Sequence, residues 1–348
     1  MKPLLLLICL FFFKLSFSQV DNFKLFLIGD TGEDIVLEQT MTTFLDTISK
    51  YPNSATVFLG DNCYKKNILG IEKKGFDSSP ITVKRLNAQL QGLNDCRYKG
   101  TVYFVPGNHD WWNVTNVKKG KRHLQLEESF IEQHLSQNPF IINKANTFLP
   151  DGGNLVAAVD LNNNQLKLIF LDTNWLILLQ RDEALSKAFA QLDSILINAI
   201  SHKQQIVVTA HHPIYTISKH SRVNSHNNLI RSKKIQDIYH PWYNSMRKKL
   251  DSILVQKNYP IIYACGHDHV LEYFQQRDVQ YIISGSGSKS NTYDKTNEFN
   301  PAPGQDIPKN PVAKQNEGFV EVAYADKTKS ITLFFFEKNV LKKELIKQ

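Results

Sequence analysis

The chain has 348 residues, enough for one large α/β domain or two modest ones. A hydrophobic share of 42% with 11% aromatics suits a globular protein with a sizeable core and excludes a disordered or fibrous chain. The formal charge of +8 would attract anions, phosphates and polyanions among them, yet no arginine-rich run or nucleic-acid motif accompanies it.

The first residues set the expected compartment. Lys2, an apolar run from Leu4 to Phe13, and then Lys14 and Ser16-Phe17-Ser18 before Gln19 have the order of a cleavable secretory signal over residues 1–18. The run of roughly ten apolar residues is short of the roughly 20 that span a bilayer. A secreted or periplasmic protein with no later transmembrane segment is therefore expected. Three cysteines remain after cleavage, Cys63, Cys96 and Cys265, an odd number that supports no disulfide framework.

Strands and helices alternate from there. Lys24–Ile28 reads as a strand ending at Gly29-Asp30, and a helical stretch opens at Asp34 and runs to about Lys50. Thr56–Leu59 is a second strand, ending at Gly60-Asp61, and Thr101–Val105 a third, ending at Pro106-Gly107-Asn108-His109. Leu155–Asp160 and Lys167–Leu171 read as a hairpin, followed by an amphipathic helix from Glu183 to Ile200. Ile206–Thr209 and Ile261–Ala264 are strands that run into histidines, and the remainder is strand-rich: Leu271–Phe274, Gln280–Ile283, Phe319–Ala323 and Ile331–Phe336. Residues 214–243 and 285–316 read as long loops, facing substrate or inserted at the surface. The pattern predicts a layered α/β sandwich with its polar groups at the carboxyl ends of strands, where α/β sheets bind ligands.

Five strand ends carry candidate chemistry: Gly29-Asp30-Thr31-Gly32, Gly60-Asp61-Asn62-Cys63-Tyr64, Gly107-Asn108-His109-Asp110, Val208-Thr209-Ala210-His211 and Gly266-His267-Asp268-His269. Each alone is a common turn, cap or surface feature. Together, carboxylates, an amide oxygen, a phenol and imidazoles suit metal ions of intermediate to hard character.

In this order the clusters resemble the calcineurin-like metallophosphoesterase superfamily. Tyr64, three residues after Asp61, is similar to the purple acid phosphatase branch, tartrate-resistant type, and Gly32 stands where many other members have a histidine. The likeness extends through His211-His212-Pro213-Ile214-Tyr215 to His220, and through Cys265–Tyr273 to Ser284-Gly285. Thr31 and His212 depart from aromatic residues common there, at positions that bear on pocket shape.

The resemblance implies two mixed β-sheets flanked by helices, in a single domain over residues 19–348 of the small form. It implies two ions sharing Asp61: Fe(III) with Asp30, Tyr64 and His269, and divalent iron, zinc or manganese with Asn108, His211 and His267. It implies acid hydrolysis of phosphate monoesters through attack by a metal-bound hydroxide, without a phosphoenzyme. His109 and His220 match positions that contact phosphate or protonate the leaving group, although the spacing of His220 also allows a surface residue. Asn62 would lend an amide to the phosphate pocket or serve only its turn. The metal ligands do not choose the ester, so a phosphodiesterase or nucleotide pyrophosphatase is the alternative, with a non-enzymatic polyanion-binding or redox protein third. The partner expected is a phosphate ester, and the chain is expected to be a monomer.

Overall fold

The computed structural model describes residues 22–33, 37–66, 72 and 73, 80–111, 116–180, 182–218, 220, 235–290, 309–325 and 328–346. The expected signal, residues 1–18, lies outside them.

The first half runs β1 (Phe23–Ile28), α1 (Gln39–Ile48), β2 (Ser54–Phe58), the short β3 (Lys65–Lys66) and β4 (Glu72–Lys73), α2 (Pro80–Asp95), β5 (Thr101–Phe104) and α3 (Val117–Ser136). The middle holds β6 (Val156–Leu161), β7 (Leu166–Leu171), α4 (Thr173–Leu179), α5 (Glu183–Ser201), β8 (Gln205–Thr209) and α6 (Pro241–Val255). The last part is β9 (Ile261–Cys265), β10 (Leu271–Gln276), β11 (Val279–Ser284), β12 (Lys309–Lys314), β13 (Gly318–Ala325), β14 (Thr328–Glu337) and β15 (Val340–Ile346).

Two large mixed sheets result. One has six strands in the order β15-β14-β13-β1-β2-β5, the other seven in the order β12-β10-β11-β9-β8-β7-β6. In the first, β1, β2 and β5 pair in parallel and the β13–β15 side is antiparallel; in the second, β11, β9, β8 and β7 pair in parallel and both margins are antiparallel. Alternation of side chains along each strand gives both sheets two apolar faces. Leu25, Leu27, Val57, Val207 and Ile262 meet in a core between the sheets. Phe26, Ile28 and Phe58 turn outward onto α1, α2 and α3, represented there by Phe44, Leu90 and Ile131. Ile206, Val208 and Tyr263 do the same against Leu176, Leu192 and Leu250 of α4, α5 and α6. The layers are thus helix, sheet, sheet, helix, as expected.

Several boundaries differ from the sequence reading. α1 begins at Gln39, with residues 34–36 outside the described set. The two long segments are not loops throughout: Pro241 opens α6 behind a His240 cap, and β12 pairs with β10. Residues 221–234 and 291–308 lie outside the described set. The helices α2, α3, α4 and α6 and the strands β3, β4 and β15 have no counterpart in the sequence reading. No helix among the described residues is long and apolar enough to cross a membrane. Cys63, Cys96 and Cys265 form no disulfide.

Candidate metal centre

Strand register brings the five clusters together. Parallel pairing sets Ile28 beside Phe58 and Phe58 beside Phe104, so Asp30, Asp61 and Asn108 leave the first sheet at one edge. Thr209 likewise sits beside Ala264, which places His211 next to His267 at the edge of the second sheet. Main-chain bonds stitch the loops together: Gly29 N–H donates to Ser284 O at 2.7 Å, Asp30 N–H to Gly60 O at 2.9 Å and Gly266 N–H to His211 O at 3.0 Å. Asp30, Asp61 and His267 have φ of 58°, 53° and 72°, the left-handed region that few non-glycine residues adopt and that Asn, Asp and His adopt most readily. Such strain costs on the order of 1–3 kcal/mol per residue and collects at functional sites. Gly107 admits no side chain, since a Cβ there would strike the backbone and carboxylate of Asp61.

The inward-facing atoms are mostly acceptors. His211 Nδ1 lies 2.8 Å from Leu59 O, and a carbonyl only accepts, so Nδ1 carries the hydrogen and Nε2 turns inward. His267 is fixed in the opposite sense, with Nε2 2.9 Å from Gln236 O and Nδ1 facing the site. Around His211 Nε2 stand Asn108 Oδ1 at 3.1 Å, Asp61 Oδ1 at 3.3 Å and His267 Nδ1 at 3.3 Å, and His267 Nδ1 is 2.9 Å from Asn108 Oδ1. Lone pairs so placed repel one another unless a proton or a metal cation lies among them. The pull on protons is visible in His211: burial opposes its charge, yet Asp61 and Asp30 outweigh burial and raise it to about 9. Asp30, Asp61 and His211 offer ligand atoms within 4.8 Å of one another. A donor set of carboxylate, amide oxygen and imidazole fits intermediate to hard cations.

Tyr64 completes the other side. Its hydroxyl donates to Asp30 Oδ1 at 2.7 Å and lies 3.4 Å from His269 Nε2, which is itself 3.4 Å from Asp30 Oδ1. Burial, Asp30 and Asp61 together push the phenol well above its ordinary range, so only a strong cation could take the proton's place. All seven residues expected as ligands thus face one site.

The remaining expected residues are placed as follows. His109 donates its backbone N–H to Asp61 Oδ1 at 2.8 Å, and its ring packs on Tyr64 with centroids 4.5 Å apart. The His220 ring lies 4.4 Å from that of His267, and its Nδ1 is 2.9 Å from Asp237 Oδ1. The side chains of His109, His269 and His220 are 14%, 19% and 21% exposed, against 0% for His211, so these three border the solvent side of the site. The Asn62 amide points away, donating towards Val105 O, Asp110 Oδ2 and Glu127 Oε1, which puts its weight on the turn.

Comparison with known proteins gives this arrangement its family. The family model for calcineurin-like phosphoesterases matches residues 23–285. The chain belongs to that family. It is accordingly a metal-dependent hydrolase of phosphate esters. No curated protein matches. Among solved structures, the fold is similar to GAP50, the anchor in the inner membrane complex of Plasmodium, with TM-score 0.56 and 18% identity over 94% of this chain and 90% of that one. It is similar also to a dimetal phosphatase from Danio rerio, with TM-score 0.55 and 13% identity over 93% and 98% of the two chains.

Behind the calcineurin-like site stands a supporting layer that strand-end motifs do not disclose. Asp110 is fully buried and accepts N–H bonds from Asp61, Cys63 and Gly107 at 3.0, 3.2 and 2.7 Å, holding the Asp61 turn. From α2, Gln89 accepts from the Thr31 hydroxyl at 2.7 Å and donates to Asn62 O at 2.8 Å, clamping two strand ends, while Arg85 donates to Tyr64 O. Gln236 takes His267 on its backbone and accepts from His212 Nε2 at 2.7 Å on its side chain. Asp110 lay inside a recognised cluster and was legible as a neighbour. Gln89, Arg85 and Gln236 had only the apolar period of α2, or nothing, to announce them.

Proposed function

We propose that this chain is a secreted purple acid phosphatase of the small, single-domain type, acting as a monomer on phosphate monoesters. The observation that carries the reading is the phenol of Tyr64, 2.7 Å from Asp30 and 3.4 Å from His269. Asp30, Tyr64 and His269, with shared Asp61, present two carboxylates and a phenolate, a set suited to Fe(III). Asp61, Asn108, His211 and His267 would take a divalent iron, zinc or manganese ion. When bound, such a pair neutralises phosphate charge and lowers the pKa of water.

The chain's own residues do the rest. Leu59 O and Gln236 O fix the two imidazole tautomers, so that neither ring must reorganise when the site fills. Asp110 and Gln89 keep the Asp61 turn rigid. His109, at the mouth beside Asp61, is the phosphate contact. His220, oriented by Asp237, is the proton donor to the leaving oxygen.

A phenolate on Fe(III) absorbs visible light, so the purified protein should be violet to pink and contain iron. Tyr64→Phe should bleach it while the fold survives, since the ring keeps its packing. A colourless, iron-free but fully active wild type would refute the reading. Export rests on residues 1–18: intact-mass analysis of protein from its native host should give Gln19 as the first residue, and retention of Met1 on exported protein would overturn it.

A further inference from the structure

Lys289 lies in the segment that the sequence left unassigned, immediately after the Ser284–Gly287 turn that closes on the site. Two contacts hold it there. Ser288 donates its hydroxyl to Asp30 O at 2.5 Å, and Glu33 N–H donates to Ser288 Oγ at 3.4 Å. The Lys289 ammonium then stands over the ring of Tyr64, 3.4 Å from its centroid, and 3.4 Å from Glu33 Oε2. Both side chains are largely covered, at 24% and 13% exposure, so water screens this arrangement only in part. A cation over a ring face interacts with the electrons of the ring itself.

Resting on the reading of Tyr64 as an iron ligand, we propose that the Lys289–Glu33 pair is an electrostatic tuner of that ligand, setting the energy of the tyrosine-to-iron transition and the Fe(III)/Fe(II) equilibrium. The signs follow from where charge moves. Visible absorption transfers an electron out of the phenolate ring, away from the ammonium above it, so the ammonium raises the transition energy. Reduction adds an electron to the site, and the same ammonium favours that electron. Glu33 opposes both effects because it carries the opposite charge beside Lys289. Lys289 stands over the Tyr64 ring and Glu33 beside Lys289, so both act through Tyr64 as positioning residues.

The test uses the iron-loaded full-length protein, its visible spectrum and a redox titration followed by colour. Lys289→Met keeps the aliphatic stem over the ring and removes the charge. It should move the absorption band to longer wavelength and raise the Fe(III):Fe(II) ratio at fixed potential by roughly threefold to tenfold, at most about 59 mV for one electron. Glu33→Gln removes the opposing charge and should shift both quantities the opposite way. Packing damage would not produce opposite signs from two neighbours. Shifts in the same direction, or no shift in either variant of a coloured protein, would overturn the tuner and leave the iron–tyrosine reading standing. A colourless wild type would overturn both, and would show itself before any variant was made.

Discussion

An alkoxide leaving a phosphate ester needs a proton, and His220 is its proposed donor. Its Nδ1 lies 2.9 Å from Asp237 Oδ1, and its ring lies 4.4 Å from that of His267. General acids of this kind contribute typically 10²–10⁴-fold. The need depends on the leaving group: an alkoxide requires the proton, whereas a nitrophenolate departs without it. His220→Asn should therefore slow hydrolysis of an alkyl phosphate by roughly 10²-fold or more and of 4-nitrophenyl phosphate far less, with metal content unchanged. Steady-state rates on the two substrates decide it; equal slowing would make His220 a phosphate contact instead. Asp237 lay in a stretch with no apolar period, so no sequence signal tied it to His220.

Helix α4 shows where a local pattern was readable and its consequence was not. Asp172 follows the apolar run of β7, and its Oδ1 accepts the N–H of Trp175 at 3.0 Å, an ordinary helix cap. The next residue, Thr173, bonds Nδ1 of His212 at 2.8 Å and so steadies the ring behind His211. What the sequence could not tell is that Asp172 is fully buried: burial raises its carboxyl to about 7, and the N–H of Trp175 and the charge of Lys121 only partly offset this. The folded value lies above the ordinary 3.8, so this group's contribution is fully present below about 3.8 and is lost as pH rises through about 7. Asp172→Asn keeps the cap and removes the ionisation. Urea unfolding of chelated protein should show the variant equal to wild type near pH 4 and more stable at pH 8, by as much as about 4 kcal/mol. The other unanticipated helices have similar histories. Leu86, Leu90 and Leu93 of α2 recur every three or four residues, and Leu124, Ile131 and Leu135 of α3 after seven and four; all are buried, but charged and amide neighbours dilute the period. The central strands, by contrast, are covered on both faces and read as unbroken apolar runs, which is why their ends, and with them the metal-facing residues, were legible.

Neither sheet makes the centre alone. Asp30, Asp61 and Asn108 come from one, and His211, His267 and His269 from the other, so the site exists only when the sheets are packed and the unfolded chain has no counterpart to it. Cations bound there must stabilise the folded state by mass action, about 2.7 kcal/mol at 100 times the dissociation constant and about 4.1 kcal/mol at 1,000 times. Burial works against the charge of Asp61, but the neighbouring His211 and His109 outweigh it and hold its carboxyl well below the ordinary range. Chelation should accordingly lower the melting temperature without abolishing cooperative unfolding, and returning iron and zinc should restore it. Asp61→Asn separates the two contributions, since the amide oxygen still accepts the His109 N–H while the shared charge is gone. Its melting temperature should respond little to chelator or to added metal, whereas Asn108→Ala should retain much of the iron-dependent increment and lose most of the zinc-dependent one. Scanning calorimetry with metal analysis on the same samples reads both quantities. Equal metal responses in Asp61→Asn and wild type would show that Asp61 is not shared between ions, and that the sheets meet at this edge for another reason.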